Sequence, residues 1–437
     1  MRIIILILFL FQIPCFANGL NSKINVDFFN RFNDEYLPKY IQKALENNHN
    51  LKEANYKVKR FRQEIKKAIS YELPELSTIP GYLGVHFPKG DYNIFVKTST
   101  FILPLQVCFE PDLLLKNYDK IKKSKSDYNS QIANANGVYL ALLSDIASTY
   151  MNIILYDYLI ERQKKIILNN KDILKKENMK YELGINDAED INRIKDDIKN
   201  DEIDFNNLIK NRNTALFNFC NLIGESSENF ESISRGNLEN FEYTESIPEI
   251  ISSDLIYLRP DMIEAENKLK SAKIDITIAK KDFFPKFDIT GFLVFDTLGV
   301  GNFFSWNSSF ALLLANATVD LFQGGRKIAN LKIKKERFNE LMEEYKQKDL
   351  NAIKEVNNAL NLIKKDSLNE SDSIERLKTE EHNLYLSEKK LKKGIISKLD
   401  YLNNEKFLFK KEQELATNKV TRIVDYVTLY KALGGNL

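Results

Sequence analysis

Two short stretches, 184–190 and 394–400, carry chemically active side chains at one shared spacing. In each, a glycine is followed three residues later by a side chain with an acceptor oxygen, and three residues after that by aspartate. Glycine suits the left-handed position just past a helix. The next two residues have the spacing of a capping box, in which side-chain oxygens accept the first N–H bonds of a new helix. The residues are Gly184, Asp187 and Asp190 in the first stretch and Gly394, Ser397 and Asp400 in the second.

Catalytic and nucleotide-binding patterns are not found in the sequence. His49, His86 and His382 are scattered and lack the spacing of metal ligands. No glycine-rich phosphate loop or nucleophile elbow is present. The formal net charge is +2, and both signs are mixed along the chain, so nothing indicates nucleic acid. We expect no enzyme, no cofactor, no metal and no nucleic-acid partner.

A long internal repeat determines the architecture. Residues 53–74 overlay 264–285 at an offset of 211 with seven identities, from Glu53/Glu264 to Pro74/Pro285. The two turn stretches recur at an offset of 210, as does Gly224 with Gly434. A repeat of this period indicates two similar units that pack side by side, each incomplete alone.

Glycine and proline mark where the helices end. Residues 326–393 contain neither, and 112–183 contain only Gly137. As one helix, 326–393 would be about 100 Å long. Stretches 185–223 and 395–433 are also free of both residues, and shorter helices are expected at about 47–73 and 261–284. Stacked end to end, a short helix and a medium helix together have about the length of one long helix. We therefore expect long antiparallel columns of helix that bury apolar seams against one another.

The stretch 138–160 is rich in Leu, Ile and Tyr and could be mistaken for a transmembrane helix. It also contains Asp145 and Asp157. Charges within a membrane span are costly and rare. We therefore expect this stretch to lie in the helical bundle.

Two windows break the helical pattern, at about 76–109 and 286–320. The second alternates apolar and other residues from Phe287 to Phe295. Each window predicts two strands of about ten residues, joined by loops near 88–93 and 297–306. Ten tilted residues are what an outer-membrane strand needs. Four strands cannot close a barrel, so strands that span a membrane would require the chain to oligomerise. Three copies would give twelve strands. A small soluble sheet that caps a helical body is the alternative.

The amino-terminal segment 1–17 has the pattern of a signal peptide: Arg2, an apolar run, and Cys15-Phe16-Ala17 before Asn18. The apolar run is short for a membrane span. We expect export and cleavage, with lipidation of Cys15 as the alternative. Cys108 and Cys220 would then remain, and they do not suggest a disulfide framework.

Four motifs in the second half of the chain are Arg259-Pro260-Asp261, Phe283-Phe284-Pro285, Gly324-Gly325-Arg326 and the closing Leu433-Gly434-Gly435. They resemble motifs of the TolC-like outer-membrane efflux proteins, and more narrowly those of the NodT/OprM-type branch. The resemblance covers essentially the whole mature chain. Two departures are a poor lipidation site, where many members are lipoproteins, and Pro111 in the first strand-to-helix junction.

The resemblance implies a mainly α fold with a small membrane β part. Long antiparallel helices would form an α-barrel, and four strands per protomer would join a trimeric 12-stranded β-barrel. The implied segments are a signal peptide (1–17), an N-terminal equatorial segment (18–46), a first repeat (47–224), an equatorial linker (225–257) and a second repeat (258–437). Residues 259–261 and 283–285 are expected to be structural, because proline suits a first helical position and also ends a helix.

The resemblance also assigns a role to the two turns. Carboxylates near the tip of such channels ring a closed mouth; Asp400 matches such a position, and Asn403 stands where a second aspartate can occur. Three converging Asp400 side chains would attract cations. This role is compatible with helix capping.

The implied function is the outer-membrane outlet of a tripartite efflux pump, a passive homotrimeric duct for small molecules. Its partners would be a periplasmic adaptor, an inner-membrane transporter that is proton-driven, and outer-membrane lipid. Two alternatives remain: an outlet for polypeptides fed by an ATP-driven exporter, and a periplasmic coiled-coil scaffold without a pore. The exported compound is not encoded in any motif.

Overall fold

Three pairs of helices and one pair of β-hairpins repeat along the chain at the offsets seen in the sequence. The computed structural model describes residues 24–85, 98–241, 254–296, 306 and 309–436. The predicted signal peptide at 1–17, the loop at 88–93 and most of the loop at 297–306 lie outside these residues.

The long helices of the two repeats have equal lengths. Helices α3 (Lys116–Glu182) and α7 (Arg326–Lys392) each have 67 residues, and α4 (Ala188–Leu222) and α8 (Lys398–Ala432) each have 35. Both pairs are displaced by the same offset as the two turn stretches. The shorter α2 (His49–Ser70) and α6 (Pro260–Lys281) each have 22 residues and are displaced by the offset of the 53–74 overlay. The duplication therefore holds at the level of individual helix ends.

The remaining helices are short. Helix α1 (Tyr36–Asn47) follows a 3-10 helix at Val26–Phe32. Two further 3-10 helices, Ser227–Ser232 and Leu238–Asn240, and α5 (Asp254–Tyr257) lie in the stretch between the repeats.

Helix α3 begins four residues later than the predicted position 112. Asp112 does not enter the helix, because its two carboxylate oxygens accept the backbone N–H groups of Lys116 (2.6 Å) and Tyr118 (2.9 Å). Pro111 precedes it, and Leu115 has a left-handed backbone with φ of 57°. An aspartate that caps the first turn is thus the physical reason for the later start.

The strands form one antiparallel sheet in the order β1-β3-β4-β5, with β2 beside β3. Strands β3 (Thr98–Phe109), β4 (Lys286–Asp296) and β5 (Ser309–Thr318) have ten to twelve residues. Glu75 lies opposite Cys108 in the first hairpin, and Lys286 lies opposite Thr318 in the second. Lys286 lies 211 residues after Glu75, and Thr318 lies 210 residues after Cys108. The strand pairing of the two hairpins therefore agrees to within one residue.

The first predicted strand is divided into β1 (Glu75–Thr78) and β2 (Gly81–Val85). Thr78 faces Leu105 and Gly81 faces Ile102, so both segments follow one register along β3. Pro80 lies in the gap and has no N–H to donate. The sheet therefore has five strand segments on four strand paths, where four strands are predicted.

The chain divides into two compact units. One contains residues 1–55, 132–263 and 347–437, and the other contains 56–131 and 264–346, including all the strands. In the first unit, Phe28 stacks on Tyr430 at 4.4 Å between ring centroids. The Tyr430 hydroxyl donates to the Asn25 carbonyl at 2.9 Å, and the Asn25 N–H donates to the Gly435 carbonyl at 2.9 Å. The two ends of the described chain are thus bound to each other within this unit.

The apolar stretch at 138–160 lies in the core of the first unit. Leu143, Ile146, Tyr150 and Ile153 are fully buried there. Among the described residues, α3 is the one helix that is long and apolar enough to cross a membrane, and 67% of its most apolar window is buried in the protein. This burial agrees with the prediction that the stretch belongs to a bundle.

Candidate functional site

The turn between α3 and α4 closes α3 with a hydrogen-bond pattern that requires a left-handed residue. Gly184 has φ of 72°. The N–H of Gly184 donates to the Tyr181 carbonyl and the N–H of Ile185 to the Lys180 carbonyl, both at 2.9 Å. This is a Schellman motif. Leu183 and Ile185 on either side are 74% and 68% exposed, so the turn presents apolar side chains to its surroundings.

The turn between α7 and α8 has the same geometry. Gly394 has φ of 70°, and the N–H groups of Gly394 and Ile395 donate to the carbonyls of Leu391 and Lys390, again at 2.9 Å. The two predicted helix stops are therefore present. We call these two segments, 183–187 and 393–397, the first and second tip turns.

The second tip turn restarts its helix with a complete capping box. The Ser397 hydroxyl accepts from the Asp400 N–H at 3.1 Å, and Asp400 Oδ2 accepts from the Ser397 N–H at 3.0 Å and the Ser397 hydroxyl at 2.7 Å. These bonds favour the charged carboxylate. The pKa of Asp400 is lowered by the hydrogen bonds from the Ser397 side chain and backbone, and to a lesser extent by the ammonium group of Lys180.

The first tip turn differs from the predicted capping box. Asp187 is the N-cap, and its Oδ1 accepts from the N–H groups of Glu189 (3.0 Å) and Asp190 (3.2 Å). Asp190 does not return the bond; its carboxylate pairs with the guanidinium of Arg193, one turn further along α4. The prediction is wrong for Asp190, because a cation at i+3 competes for its carboxylate.

Three polar residues that sequence analysis did not identify hold the first tip turn. Glu177 is buried on α3, and its carboxylate accepts from the Asn186 amide (2.5 Å) and the Lys180 ammonium (2.9 Å). Lys180 is also the cation that affects Asp400, so the structure brings the two tip turns together. A signal existed in the sequence: Gln163, Asn170 and Glu177 recur every seven residues, and all three are buried.

The seven-residue spacing places these polar side chains on the seam of α3, where apolar residues would otherwise pack. Asn169 donates to Glu405 of α8 at 2.8 Å, and Lys406 of α8 donates to Asn170 at 3.2 Å. Arg162 pairs with Glu412 at 2.6 Å. The distal part of α3 is therefore joined to α8 by directional bonds, in contrast to the apolar core around residues 139–155.

The predicted residue Asn403 is partly buried on α8, one turn beyond Asp400. Its neighbour Asn404 makes the cross-helix bond, donating to the Ser387 hydroxyl of α7 at 2.7 Å. Ser387 occupies the position in the second repeat that Glu177 has in the first. The two tip turns thus share a backbone and differ in the groups that hold them.

The Arg259-Pro260-Asp261 motif lies at the start of α6 and contacts α7 and α8. Pro260 is the first residue of α6. The buried Arg259 guanidinium donates to both oxygens of Asp261 (3.0 and 2.9 Å), to Glu355 (2.7 Å) and to the Ala432 carbonyl (2.8 Å). The guanidinium thereby donates to a backbone carbonyl at the end of α8 and to a carboxylate of α7. A groove of about 480 Å³ lies beside it.

The other motif residues stand at element boundaries. Phe283, Phe284 and Pro285 separate α6 from β4, and both rings are about half exposed. Gly324 and Gly325 precede α7 with φ of 58° and 82°. Among the described residues, no group of three His, Cys, Asp or Glu side chains could hold a metal ion.

Comparisons with known proteins agree with this architecture. A family model described as "Outer membrane efflux protein" matches residues 251–435. The cation efflux system protein CusC of Escherichia coli is 24% identical over 427 residues, which cover 96% of this chain and 91% of CusC. The toluene efflux pump outer membrane protein TtgC of Pseudomonas putida is 22% identical over 412 residues, covering 92% and 84%.

The fold is shared with solved channels. The crystal structure of the Campylobacter jejuni CmeC outer membrane channel matches with a TM-score of 0.83 and 20% identity, covering 97% of this chain and 90% of that one. The duplicated helices, the paired hairpins, the signature motifs and these matches agree: over nearly its whole length the chain is similar to outer membrane efflux proteins, and it has the fold of the solved outer-membrane channels.

Proposed function

We propose that this protein is the outer-membrane channel of a tripartite efflux system, a passive homotrimeric duct through which small molecules leave the cell. The observation that carries the proposal is the sheet. It has four strand paths of a length suited to the outer membrane, and in the described residues its order ends at β1 and β2 on one side and at β5 on the other.

An open sheet of this kind is incomplete in lipid. Edge strands present unpaired backbone groups, and each such group is costly in hydrocarbon. Three copies would supply twelve strand paths, an even number that can close a barrel. β5 is exposed along nearly its whole length, with Phe310 and Leu313 at 61% and 73%. Lipid and neighbouring copies would cover these side chains.

Aromatic residues at the strand-to-helix junctions support a membrane boundary there. Phe283, Phe284 and Phe322 are 44%, 55% and 89% exposed. Outer-membrane barrels carry aromatic girdles at both interfaces. Lys286 and Arg326 lie in the same stretches and would face the headgroups.

The helical part would form the periplasmic tunnel, with residues 18–46 and 225–257 contributing to an equatorial belt. The exposed Leu183, Ile185 and Ile395 of the tip turns would contact the periplasmic adaptor, and the inner-membrane pump would supply the energy. We propose a proton-driven pump, because the sequence resembles the branch that serves such pumps. The signal peptide would be cleaved after Ala17, with Cys15 as the alternative lipidation site.

The pump, rather than this chain, would determine which compound is exported. CusC is named for a cation efflux system and TtgC for a toluene efflux pump, yet both match this sequence over more than nine-tenths of its length. A duct of one design thus serves cargoes of opposite polarity. We propose small-molecule efflux without naming the compound.

The second tip turn is the proposed gate. In a trimer, three Asp400 carboxylates would converge at the mouth and favour cations over anions. Asn403 lies on the same face one turn later. Asp187 and Ser397 would shape the same mouth through the caps they form, and Asp190 through its pair with Arg193.

The decisive experiment cross-links the tip turns in cells. Leu183→Cys and Ile395→Cys place thiols on exposed positions, and Leu168→Cys, 61% exposed on α3, is the matched control away from the turns. Mass spectrometry of the captured proteins would identify an adaptor that co-purifies with a proton-driven pump. An adaptor tied to an ATP-driven exporter would move the protein to polypeptide secretion.

Two further measurements test the pore itself. We expect the protein in the outer-membrane fraction, a trimeric mass in mild detergent, and conductance in a planar bilayer. Release by osmotic shock without detergent, a monomeric mass and absent conductance would instead support the coiled-coil scaffold.

A further inference from the structure

The interface between α7 and α8 is crossed by a ladder of polar pairs. Each pair joins a hydrogen-bond donor or cation on one helix to an acceptor or anion on the other. The second, third and fourth pairs follow one another at intervals of about one turn. They are Ser387 with Asn404, Arg376 with Glu414, Ser373 with Asn418, and Glu370 with Arg422.

The next step of the ladder breaks this rule, because it brings together two acids. Asp366 lies one turn before Glu370 on α7, and Asp425 lies one turn after Arg422 on α8. Asp425 is only 6% exposed, and its buried Oδ2 atom receives no hydrogen bond from the described residues. The side chain that it meets is Asp366.

Two cations that flank Asp425 along α8 have other partners. Arg422 pairs with Glu370 across the interface, and its guanidinium lies over the Tyr426 ring. Lys431, further along α8, pairs with Asp145 of α3 at 3.4 Å. The group that faces Asp425 from α7 is thus a carboxyl, and these cations on α8 are held by other acids.

Two ionised carboxylates that share a partly dry site repel each other, and one of them gains a proton. A single proton converts this pair into a donor and an acceptor, which makes it like every other pair in the ladder. We propose that Asp366 and Asp425 form a binding site for one proton, and that this proton joins α7 to α8.

The electrostatics agree with the geometry. Burial, together with hydrogen bonding to and repulsion by Asp366, raises the pKa of Asp425 to about 7. The folded protein therefore binds more protons than the unfolded chain between about pH 4 and pH 7. The stabilisation by this proton is complete below that range, falls as pH rises through it, and is gone above pH 7. The pair belongs to the second repeat alone, since the equivalent positions are Tyr156 and Ala215.

Infrared difference spectroscopy tests the site directly on the full-length protein in detergent. A buried protonated carboxyl has a carbonyl stretch distinct from that of a carboxylate. We expect one such band per chain that titrates near pH 7 and is absent from both Asp425→Asn and Asp366→Asn. The band must persist in Asp372→Asn, the matched control, which removes an exposed carboxyl from the same helix.

Hydrogen exchange measures what the proton does. If opening of the interface exposes Asp425 to water, the opening equilibrium of the helix segments around 366 and 425 rises about tenfold between pH 6 and pH 8, after correction for intrinsic exchange. Asp425→Asn supplies a permanent amide donor, so this pH dependence is expected to vanish while protection remains. Asp372→Asn should behave as wild type.

Three results would overturn the proposal. The first is that no protonated carboxyl depends on either aspartate. The second is that the pH dependence is unchanged in both Asn variants. The third is that added Na⁺ or Ca²⁺ at neutral pH removes the band at millimolar concentration, because the pair would then be a metal-cation site.

Discussion

The four helix-ending glycines of the repeats have the same local geometry and very different surroundings. Gly184 and Gly394 end α3 and α7, and Gly224 and Gly434 end α4 and α8; all have φ between 70° and 74°. A Cβ on Gly224 would lie 2.8 Å from the Asn47 carbonyl carbon, and one on Gly434 would lie 2.9 Å from the Arg259 Cα. At the tip glycines it would meet no described atom within 4 Å.

The difference shows that one sequence signal serves two purposes. At the tip turns, glycine is required only because the backbone is left-handed. At the ends of α4 and α8, glycine also makes room for another chain segment. We infer that the α4 and α8 ends are fixed by packing, whereas the tip turns are fixed by local hydrogen bonds and can rearrange more readily.

The largest expected effect is at the packed end. Gly434→Ala imposes a left-handed backbone on alanine and pushes its methyl group into the Arg259 backbone. Together these cost about 3 kcal/mol. Thermal unfolding and the yield of trimer in detergent would measure the loss. An effect no larger than that of Gly394→Ala would remove the distinction between the two ends.

A second test at the packed end concerns the Arg259 guanidinium. Arg259→Met removes the guanidinium donor from Asp261, Glu355 and the Ala432 carbonyl, which costs about 2 kcal/mol. Lys431→Met is the control, because its pair with Asp145 is half exposed and worth less than about 1 kcal/mol. Similar unfolding midpoints for the two variants would show that Arg259 does not hold this end.

The tip glycines give a smaller effect. Gly184→Ala and Gly394→Ala should each cost about 1 kcal/mol, from the left-handed backbone alone. We expect the trimer to form normally and hydrogen exchange to change only in peptides near the tip turns. Loss of the trimer in either variant would mean that these turns also carry packing contacts.

Asp400→Ala separates the cap from the proposed gate. Loss of half the capping box costs about 0.5–1 kcal/mol locally. If Asp400 also faces the mouth, single-channel recordings should show a more open tip or a weaker preference for cations. Ser397→Ala removes the other half of the same capping box and keeps the Asp400 carboxylate, so it is the control. Unchanged conductance and selectivity in Asp400→Ala would leave that residue as a cap only.

The smallest effect is on pH dependence. Hydrogen bonds from Ser397 lower the pKa of Asp400, so its contribution to the second tip turn is present above about pH 4 and is lost as pH falls through the lowered value. Hydrogen exchange of tip peptides between pH 3 and pH 5 should show loosening at the second turn. The change should be absent from Asp400→Asn, and its persistence there would assign the effect to another carboxyl.

The sequence predicted the parts of the fold that depend on local signals. The positions of glycine and proline predicted the long helices and both tip turns, and the identities between residues 53–74 and 264–285 predicted the repeat. The prediction of Ser397 and Asp400 as a capping box is confirmed. These features involve residues close together in the chain, so their spacing carries the information.

Contacts between distant segments could not be predicted in the same way. The cap of Asp112 depends on where the chain leaves β3, and the influence of Lys180 on Asp400 depends on how two turns from different repeats approach each other. The acid pair Asp366–Asp425 joins two helices through side chains that look solvated in sequence. Only the helix register reveals that these groups meet.

The equal lengths of the repeated helices have an evolutionary consequence. Residues have diverged until few positions agree, yet 67, 35 and 22 residues are kept in both halves. A single-residue insertion rotates every following side chain of a helix by about 100° and lifts it by about 1.5 Å. An insertion or deletion within one of these helices would therefore disturb the packing of every residue that follows it in the helix. Substitution of most residues in these helices should therefore be easier to accommodate than a change in the number of residues.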